Sequence, residues 1–417
     1  MKLKREIYLN QIRPFYDVDL IKVITGIRRS GKSILLESIK DEMISNGLSA
    51  DHIIFLNLED LDYEHLKTAS DLNKEIKSRI IDNRKYYIFI DEVQHINEFE
   101  KALASFRATL NASIFVTGSN STLLSGELAT LLTGRTVEFE VFPFSFLEMK
   151  EYFELNNIRY SDDLISDYIK WGGFPLRFDF YRDEDKKRYL DTLYENIIKR
   201  DIKKKSSKFD MKLFKELSLY ILANAGKEFS VEKIINYYKT NRKITVSRQT
   251  IYNYIDRMSK AFLVHFVKTY NISGKAALLG KEKFYATDMG LRIINTNTIN
   301  YEDTYFLENI IFNELLIRGY NVYTGKTYKG EVDFVAIKDG KKCFIQVAYL
   351  LASKETIDRE FGAFKAISDF SPKIVMSLDK LDMSRNGIAH INIVDFLLHK
   401  TDITLTWGRR ESQAKLG

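Results

Sequence analysis

Gly26-Ile27-Arg28-Arg29-Ser30-Gly31-Lys32-Ser33 is the stretch on which the fold turns. It follows the apolar run Leu20 to Thr25, which reads as a buried strand, and precedes Ile34 to Ile44, where apolar residues recur at helical spacing. Strand, glycine-rich turn and helix start form the context that a phosphate-binding loop requires. Gly26 and Gly31 let the backbone curl so that successive N–H groups and the start of the helix face a polyphosphate. Ile27, Arg28, Arg29 and Ser30 complete that cradle. Lys32 can then reach the β- and γ-phosphates of a triphosphate such as ATP, and Ser33 can set its hydroxyl on Mg²⁺.

A second stretch gives this loop its chemistry. Tyr86 to Ile90 is a short aromatic and β-branched run that ends in Asp91-Glu92. An acid at the carboxyl end of a buried parallel strand lies beside the phosphate crevice, where Asp91 can join the Mg²⁺ shell. Glu92, next to it, can orient and deprotonate an attacking water. A solvated Asp-Glu pair at a strand end is common; with Lys32 and Ser33 the pair specifies a nucleoside triphosphatase.

The bulk numbers exclude several classes. A chain of 417 residues, 45% hydrophobic and 29% charged, has the composition of an ordered globular protein with several cores. The single cysteine, Cys343, excludes an internal disulfide and a cysteine cluster for zinc, and a reducing cytoplasm is the expected compartment. The six histidines show no metal-ligand spacing. No apolar run approaches the roughly 18 residues of a membrane span, and the start of the chain lacks the apolar core of a signal peptide. Charge is unevenly spread: Lys199 to Lys283 holds 20 Lys+Arg against 7 Asp+Glu, a balance of +13 within a chain of net +6. Such a basic segment in an otherwise acidic protein is the footprint of a nucleic-acid-binding module, although a lysine-rich solvated face has the same composition.

Residues 1 to about 150 alternate strands and helices, hence a doubly wound α/β layer. A strand is expected from His52 to Leu58, helices around Ser70 to Ile81 and Asn97 to Leu110, and another buried strand from Ser113. Thr117, Ser119 and Asn120 at its carboxyl end would face the crevice and can sense a γ-phosphate. A helix from Leu123 to Thr133 leads to Gly134-Arg135 and a last strand, Thr136 to Phe142. Arg135 can act as a charge-stabilising finger, in its own site or in that of a neighbouring copy in a homo-oligomer, or else form a structural salt bridge.

At this point the chain resembles the AAA-type branch of P-loop ATPases, specifically the prokaryotic ATPases joined to a C-terminal domain of unknown function. The phosphate loop, Asp91-Glu92-Val93-Gln94, Thr117-Gly118-Ser119-Asn120, Gly134-Arg135 and Phe142-Pro143-Phe144-Ser145-Phe146-Leu147-Glu148 look like that family in order. The resemblance implies a parallel sheet with an extra strand between those bearing Lys32 and Asp91. Trp171-Gly172-Gly173-Phe174-Pro175-Leu176 is similar to the Gly-x-Pro motif of the signal-transduction ATPases, which implies that Pro175 borders a bound nucleotide. The phrase Lys281 to Leu291 carries the match through the middle of the chain.

Residues 151–205 read as a helical lid or connector. From 206 to 298, helices at Met211 to Ala225, Ser230 to Lys239 and Ser247 to Ala261 precede two strands, Phe262 to Tyr270 and Lys283 to Tyr285, joined by a basic loop. Three helices and a hairpin make a winged helix, whose third helix can enter a major groove and whose wing can touch phosphate. Ile251, Tyr254, Ile255 and Met258 form the buried stripe of that helix, leaving Arg248 and Gln249 outward; with Lys275 and Lys281 of the wing they are the expected DNA contacts. Winged helices also dock proteins, so a protein partner stays open.

Residues 299–400 form a further α/β unit, with a hairpin turning at Asp339-Gly340. Its spacing resembles restriction-endonuclease-like domains, which use a helix glutamate, a strand aspartate and a Glu/Gln-x-Lys strand to hold Mg²⁺. Glu308, Asp333 and Gln346 fit three positions, but Ala348 stands where the lysine belongs. Without that cation the developing charge loses support, so a domain that still binds DNA or a partner, without nuclease activity, is expected. The polar tail, 401–417, is expected to fray.

Overall fold

The computed structural model describes residues 1–121, 132–160, 163–202, 209–272, 274, 276–294 and 304–403, with 276–282 described by their backbone. The chain forms two compact units, one made of Met1–Pro143, Ile197–Ile202 and Lys260–Phe262, the other of Phe144–Asn196, Lys203–Ser259 and Leu263–Gly417. Most of the helix expected at 123–133, residues 203–208 and 295–303, Lys275 and most of the tail fall outside the described residues. Among the described residues no helix is long and apolar enough to cross a membrane.

In the first unit, strands β1 (Ile21–Thr25), β2 (Ile53–Asn57), β3 (Tyr86–Asp91), β4 (Ala112–Thr117) and β5 (Thr136–Glu140) form one sheet in the order β2-β3-β4-β1-β5. Every neighbouring pair is parallel. The extra strand implied by the resemblance is β4, between β1 and β3. β-Branched and aromatic runs suit strands covered on both faces, and all five residues of β1 are buried. Leu56, Ile88, Ile90, Leu103 and Phe106 share one buried cluster, and Phe89 stacks on Phe115 with centroids 4.8 Å apart. Thr68 and Asp71 close a reciprocal capping box at the start of helix Ala69–Ser78. Because the strands run the same way, the loops after β1, β3 and β4 leave from one edge of the sheet.

The second unit begins with helices Phe146–Leu155, Leu164–Trp171 and most of Asp183–Ile197. Helix Met211–Ala223, strand β6 (Glu228–Phe229), helices Val231–Tyr237 and Arg248–Lys260, and the antiparallel pair β7 (Val264–Asn271) and β8 (Ala276–Ala286) follow. Ile251, Tyr254, Ile255 and Met258 are buried, as helical spacing predicts. The second hairpin strand is far longer than Lys283 to Tyr285, and β6 adds to its outer side. β7 also pairs in parallel with β9 (Asn321–Lys326). The sheet then continues through β10 (Glu331–Lys338), β11 (Lys341–Val347), β12 (Lys373–Ser377) and β13 (Ala389–Asn392), making eight strands. One sheet thus runs across position 298/299. Asp339 and Gly340 turn the β10–β11 hairpin at φ of 50° and 72°, the left-handed values such a turn requires.

Two short motifs far apart in sequence lock together inside this unit. The buried carboxylate of Asp288 accepts from the amide of Gly173 at 2.6 Å and from that of Gly290 at 2.8 Å. Gly173 in turn accepts at its carbonyl from the amide of Phe144 at 2.8 Å, and Arg177 donates to the carbonyl of Gly172 at 2.7 Å. Burial pushes the Asp288 carboxyl up to about 6 against the pull of those amides.

Candidate active site

The loop after β1 has the backbone its sequence demands. Gly26 and Gly31 sit at φ of +137° and +99°, and a Cβ on Gly26 would lie 2.2 Å from the carbonyl oxygen of Val141. Only glycine fits there. Arg29 also adopts a left-handed conformation, at φ 69°. Gly31 caps helix Lys32–Ser45, so the N–H groups of its first turn open towards the loop. Lys32 is only 4% exposed, and its ammonium donates to the carbonyls of Gly26 at 3.0 Å and Ile27 at 3.1 Å. From outside the motif, the buried guanidinium of Arg5 donates to the carbonyls of Ser30 and Phe142, both at 2.9 Å, and so braces the loop from behind.

Opposite the lysine, the β3 end presents two carboxylates with different surroundings. Asp91 is hydrogen-bonded to the hydroxyls of Thr117 and Ser33. Glu92, in a left-handed backbone conformation, accepts from the Ser119 hydroxyl at 2.9 Å and from the Gln94 amide, while Thr117 takes the Glu92 N–H at 2.9 Å. Burial raises the Asp91 carboxyl above the usual range, and the hydrogen bonds from Thr117 and Ser33 only partly offset it. Burial acts on Glu92 the same way, but there the charge of Lys32, with Ser119, Gln94 and Arg28, wins and holds the group below its ordinary value. Two neighbouring acids are thereby shifted in opposite directions, Glu92 downward by the nearby cations and Asp91 upward by burial.

The residues present fit a magnesium triphosphate. Mg²⁺ takes few protein oxygens and completes its shell with phosphate and water; the Ser33 hydroxyl and Asp91 carboxylate are such oxygens, in mutual contact. The hydroxyl of Ser30 is buried in the loop with no hydrogen-bond partner. Among the described residues no group of three His, Cys, Asp or Glu side chains is placed to hold a metal by itself.

A family model described as an AAA domain matches residues 19–150, and one described as a domain of unknown function matches residues 162–300. An uncharacterized protein of Haemophilus influenzae is 36% identical over 405 residues, covering 95% of this chain and 98% of that one. An uncharacterized protein of Methanocaldococcus jannaschii is 33% identical over 405 residues, covering 93% and 87% respectively. The chain belongs to their family, a prokaryotic AAA-type ATPase family. Among solved structures, the Walker-type ATPase PABY2304 of Pyrococcus abyssi is similar with a TM-score of 0.49 at 15% identity, covering 70% of this chain and 95% of that one.

The remaining expected site residues of this AAA-type ATPase fall into three groups. Asn120 lies at the same sheet edge as Lys32 and donates its side-chain amide to the carbonyl of Asp201 at 3.2 Å. Arg135 does not. It precedes Thr136, which pairs with Ile21 at the start of β1, whereas the phosphate loop follows Thr25, which pairs with Glu140. At about 3.3 Å per residue the two ends of β5 are roughly 13 Å apart. Arg135 therefore cannot serve as a finger in its own site, because parallel pairing sends it to the opposite edge. Pro175 belongs to the second unit, where it opens a short 3₁₀ turn.

Of the expected DNA contacts, Arg248 and Gln249 are exposed at the start of their helix; Arg248 is ion-paired with Glu232, and Gln249 donates to Asn253 at 2.9 Å. Lys281 lies on β8 and is described by its backbone; Lys275 is outside the described residues. Of the nuclease-like set, Asp333 and Gln346 meet across β10 and β11, the Gln346 side-chain oxygen accepting the Asp333 N–H at 3.3 Å. Asp333 accepts from the amide of Val347 at 2.8 Å, and Glu308 accepts from the Tyr285 hydroxyl at 3.3 Å.

Sequence reasoning missed Arg5, Gln94 as a partner of Glu92, and Asp201. Gln94 was within reach, two residues from the glutamate it binds. Arg5 and Asp201 carry no local signal, since their partners lie 25 and 173 positions away.

Proposed function

We propose that this AAA-type ATPase binds ATP with Mg²⁺ on the loop Gly26–Ser33, hydrolyses it with Glu92 as general base, and uses the nucleotide state to govern DNA engagement. The observation that carries the reading is the convergence of Lys32, Ser33, Asp91 and Glu92 at one sheet edge, with the Glu92 carboxyl lowered by the charge of Lys32 and the Asp91 carboxyl raised by burial. Lys32 holds the phosphates, and Ser33 with Asp91 would hold the magnesium, which when bound supplies charge neutralisation on the phosphate oxygens. Glu92 orients the attacking water and takes its proton. Replacing Lys32 by Ala removes the ammonium from the phosphates and is expected to abolish binding of a fluorescent ATP analogue in a titration; retained binding would reject this site.

The winged helix, with its helix Arg248–Lys260 and the +13 balance of Lys199 to Lys283, is the proposed DNA contact. Its affinity for duplex DNA is expected to fall steeply between low and physiological salt, and to weaken further when Lys203, Lys204 and Lys205 are reversed to Glu. Undetectable or salt-insensitive binding would leave the protein-docking reading of the same fold. The unit carrying Asp333 is proposed to lack nuclease activity, because buried Ala348 supplies no cation and Asp333 is engaged by the amide of Val347. The ATPase rate with and without duplex DNA joins the two halves of the proposal in one measurement, and stimulation is the expected result.

A further inference from the structure

The segment Ile197–Ile202 packs with the first unit although the residues on either side of it belong to the second. Ile197, Ile198 and Ile202 are buried and anchor it. Between them Asp201 grips the phosphate loop: its two carboxylate oxygens accept from Arg28 Nε at 3.0 Å and Nη2 at 3.2 Å, with only 8% and 12% of the two side chains exposed. The carbonyl of Asp201 accepts from Asn120 at 3.2 Å. Glu59 stands 3.5 Å from the same guanidinium, but it is 43% exposed and not in fork geometry.

A paired guanidinium fork is the arrangement by which arginine binds phosphate as readily as carboxylate. Lys32, the other cation of the loop, is likewise engaged by protein oxygens, those of Gly26 and Ile27. We propose that Asp201 sets the nucleotide affinity of this site by holding, on Arg28, the place that a phosphate of the nucleotide takes. Binding then exchanges a carboxylate for a phosphate on Arg28 and releases the segment Ile197–Ile202, whose covalent neighbours belong to the other unit. Asn120, at the end of β4, is the second tie that this exchange loosens. This rests on the reading of Gly26–Ser33 as the nucleotide site.

The test uses the full chain, Mg²⁺ and a fluorescent ATP analogue. Asp201→Asn is expected to tighten the dissociation constant about tenfold. Glu59→Gln, which removes an equal charge near the same arginine, is expected to change it less than about twofold. In the wild-type chain, saturating nucleotide is expected to speed hydrogen exchange of amides 197–202. The proposal requires all three results: an unchanged or weaker affinity in Asp201→Asn, an equal gain in Glu59→Gln, or unchanged or slower exchange on nucleotide addition overturns it. If Asp201→Asn does not fold, the wild-type exchange decides. Binding that survives these failures and is lost in Lys32→Ala leaves the nucleotide site standing without the proposal, whereas no binding by the wild-type chain removes both.

Discussion

Replacing Glu92 by Gln is expected to leave ATP bound and to lower its turnover by about a hundredfold to ten-thousandfold, the usual contribution of a positioned base. The substitution keeps the size of the side chain and keeps an oxygen able to accept from the Ser119 hydroxyl, which now lies 2.9 Å from the carboxylate. It removes the charge that Lys32 and Arg28 stabilise. Affinity for the nucleotide should therefore survive, because Lys32 and the loop amides are untouched, while the group that takes the proton from water is gone. Phosphate release under saturating ATP measures the turnover, and titration with a fluorescent analogue measures the affinity. Ordinary turnover in this variant would remove Glu92 from the chemistry and leave the base unassigned.

Gly173→Ala is expected to be the most damaging single methyl in the second unit, costing about 3–5 kcal/mol of stability. A Cβ there would lie 1.9 Å from the carbonyl oxygen of Phe144, with the carbonyl carbon and amide nitrogen of the same residue at 2.9 and 3.0 Å. These are backbone atoms, so no side chain can swing aside. Moving the Gly173 backbone would also pull its amide from Asp288, a buried carboxylate whose other amide partner is Gly290. Gly330→Ala is the control: nothing lies within 4 Å of that position, and its cost should stay within about 0.5 kcal/mol. Denaturant midpoints of the two variants test the difference, and equal midpoints would mean that the Gly173 backbone relaxes freely.

Much of the nucleotide half was legible because its signals are local. The loop Gly26–Ser33 with the strand before it, and the Asp91-Glu92 pair with the strand it ends, are each read from a few consecutive residues, and parallel pairing then carries them to one edge of the sheet. Arg135 shows where such reading stops. Its neighbours suggest a finger, but whether it lies at the phosphate end depends on which end of β5 it occupies, and the pairing of Thr136 with Ile21 puts it at the other. In the second unit, the helices and the buried stripe of Arg248–Lys260 follow from periodicity. The parallel pairing of β7 with β9 does not, since Thr269 and Thr324 meet across 55 positions.

The sequence by itself determined the chemistry available at the phosphate loop, because a glycine at φ +137°, a lysine at the helix start and two acids ending a buried strand are constraints imposed by residue type within a few bonds. Tertiary structure alone decided which of those groups are held, and by what. Arg5 behind the loop, Asp201 on Arg28 and Asp288 beneath Gly173 are contacts between distant segments, and their specificity comes from burial, which makes each buried polar group find a partner wherever the fold brings one.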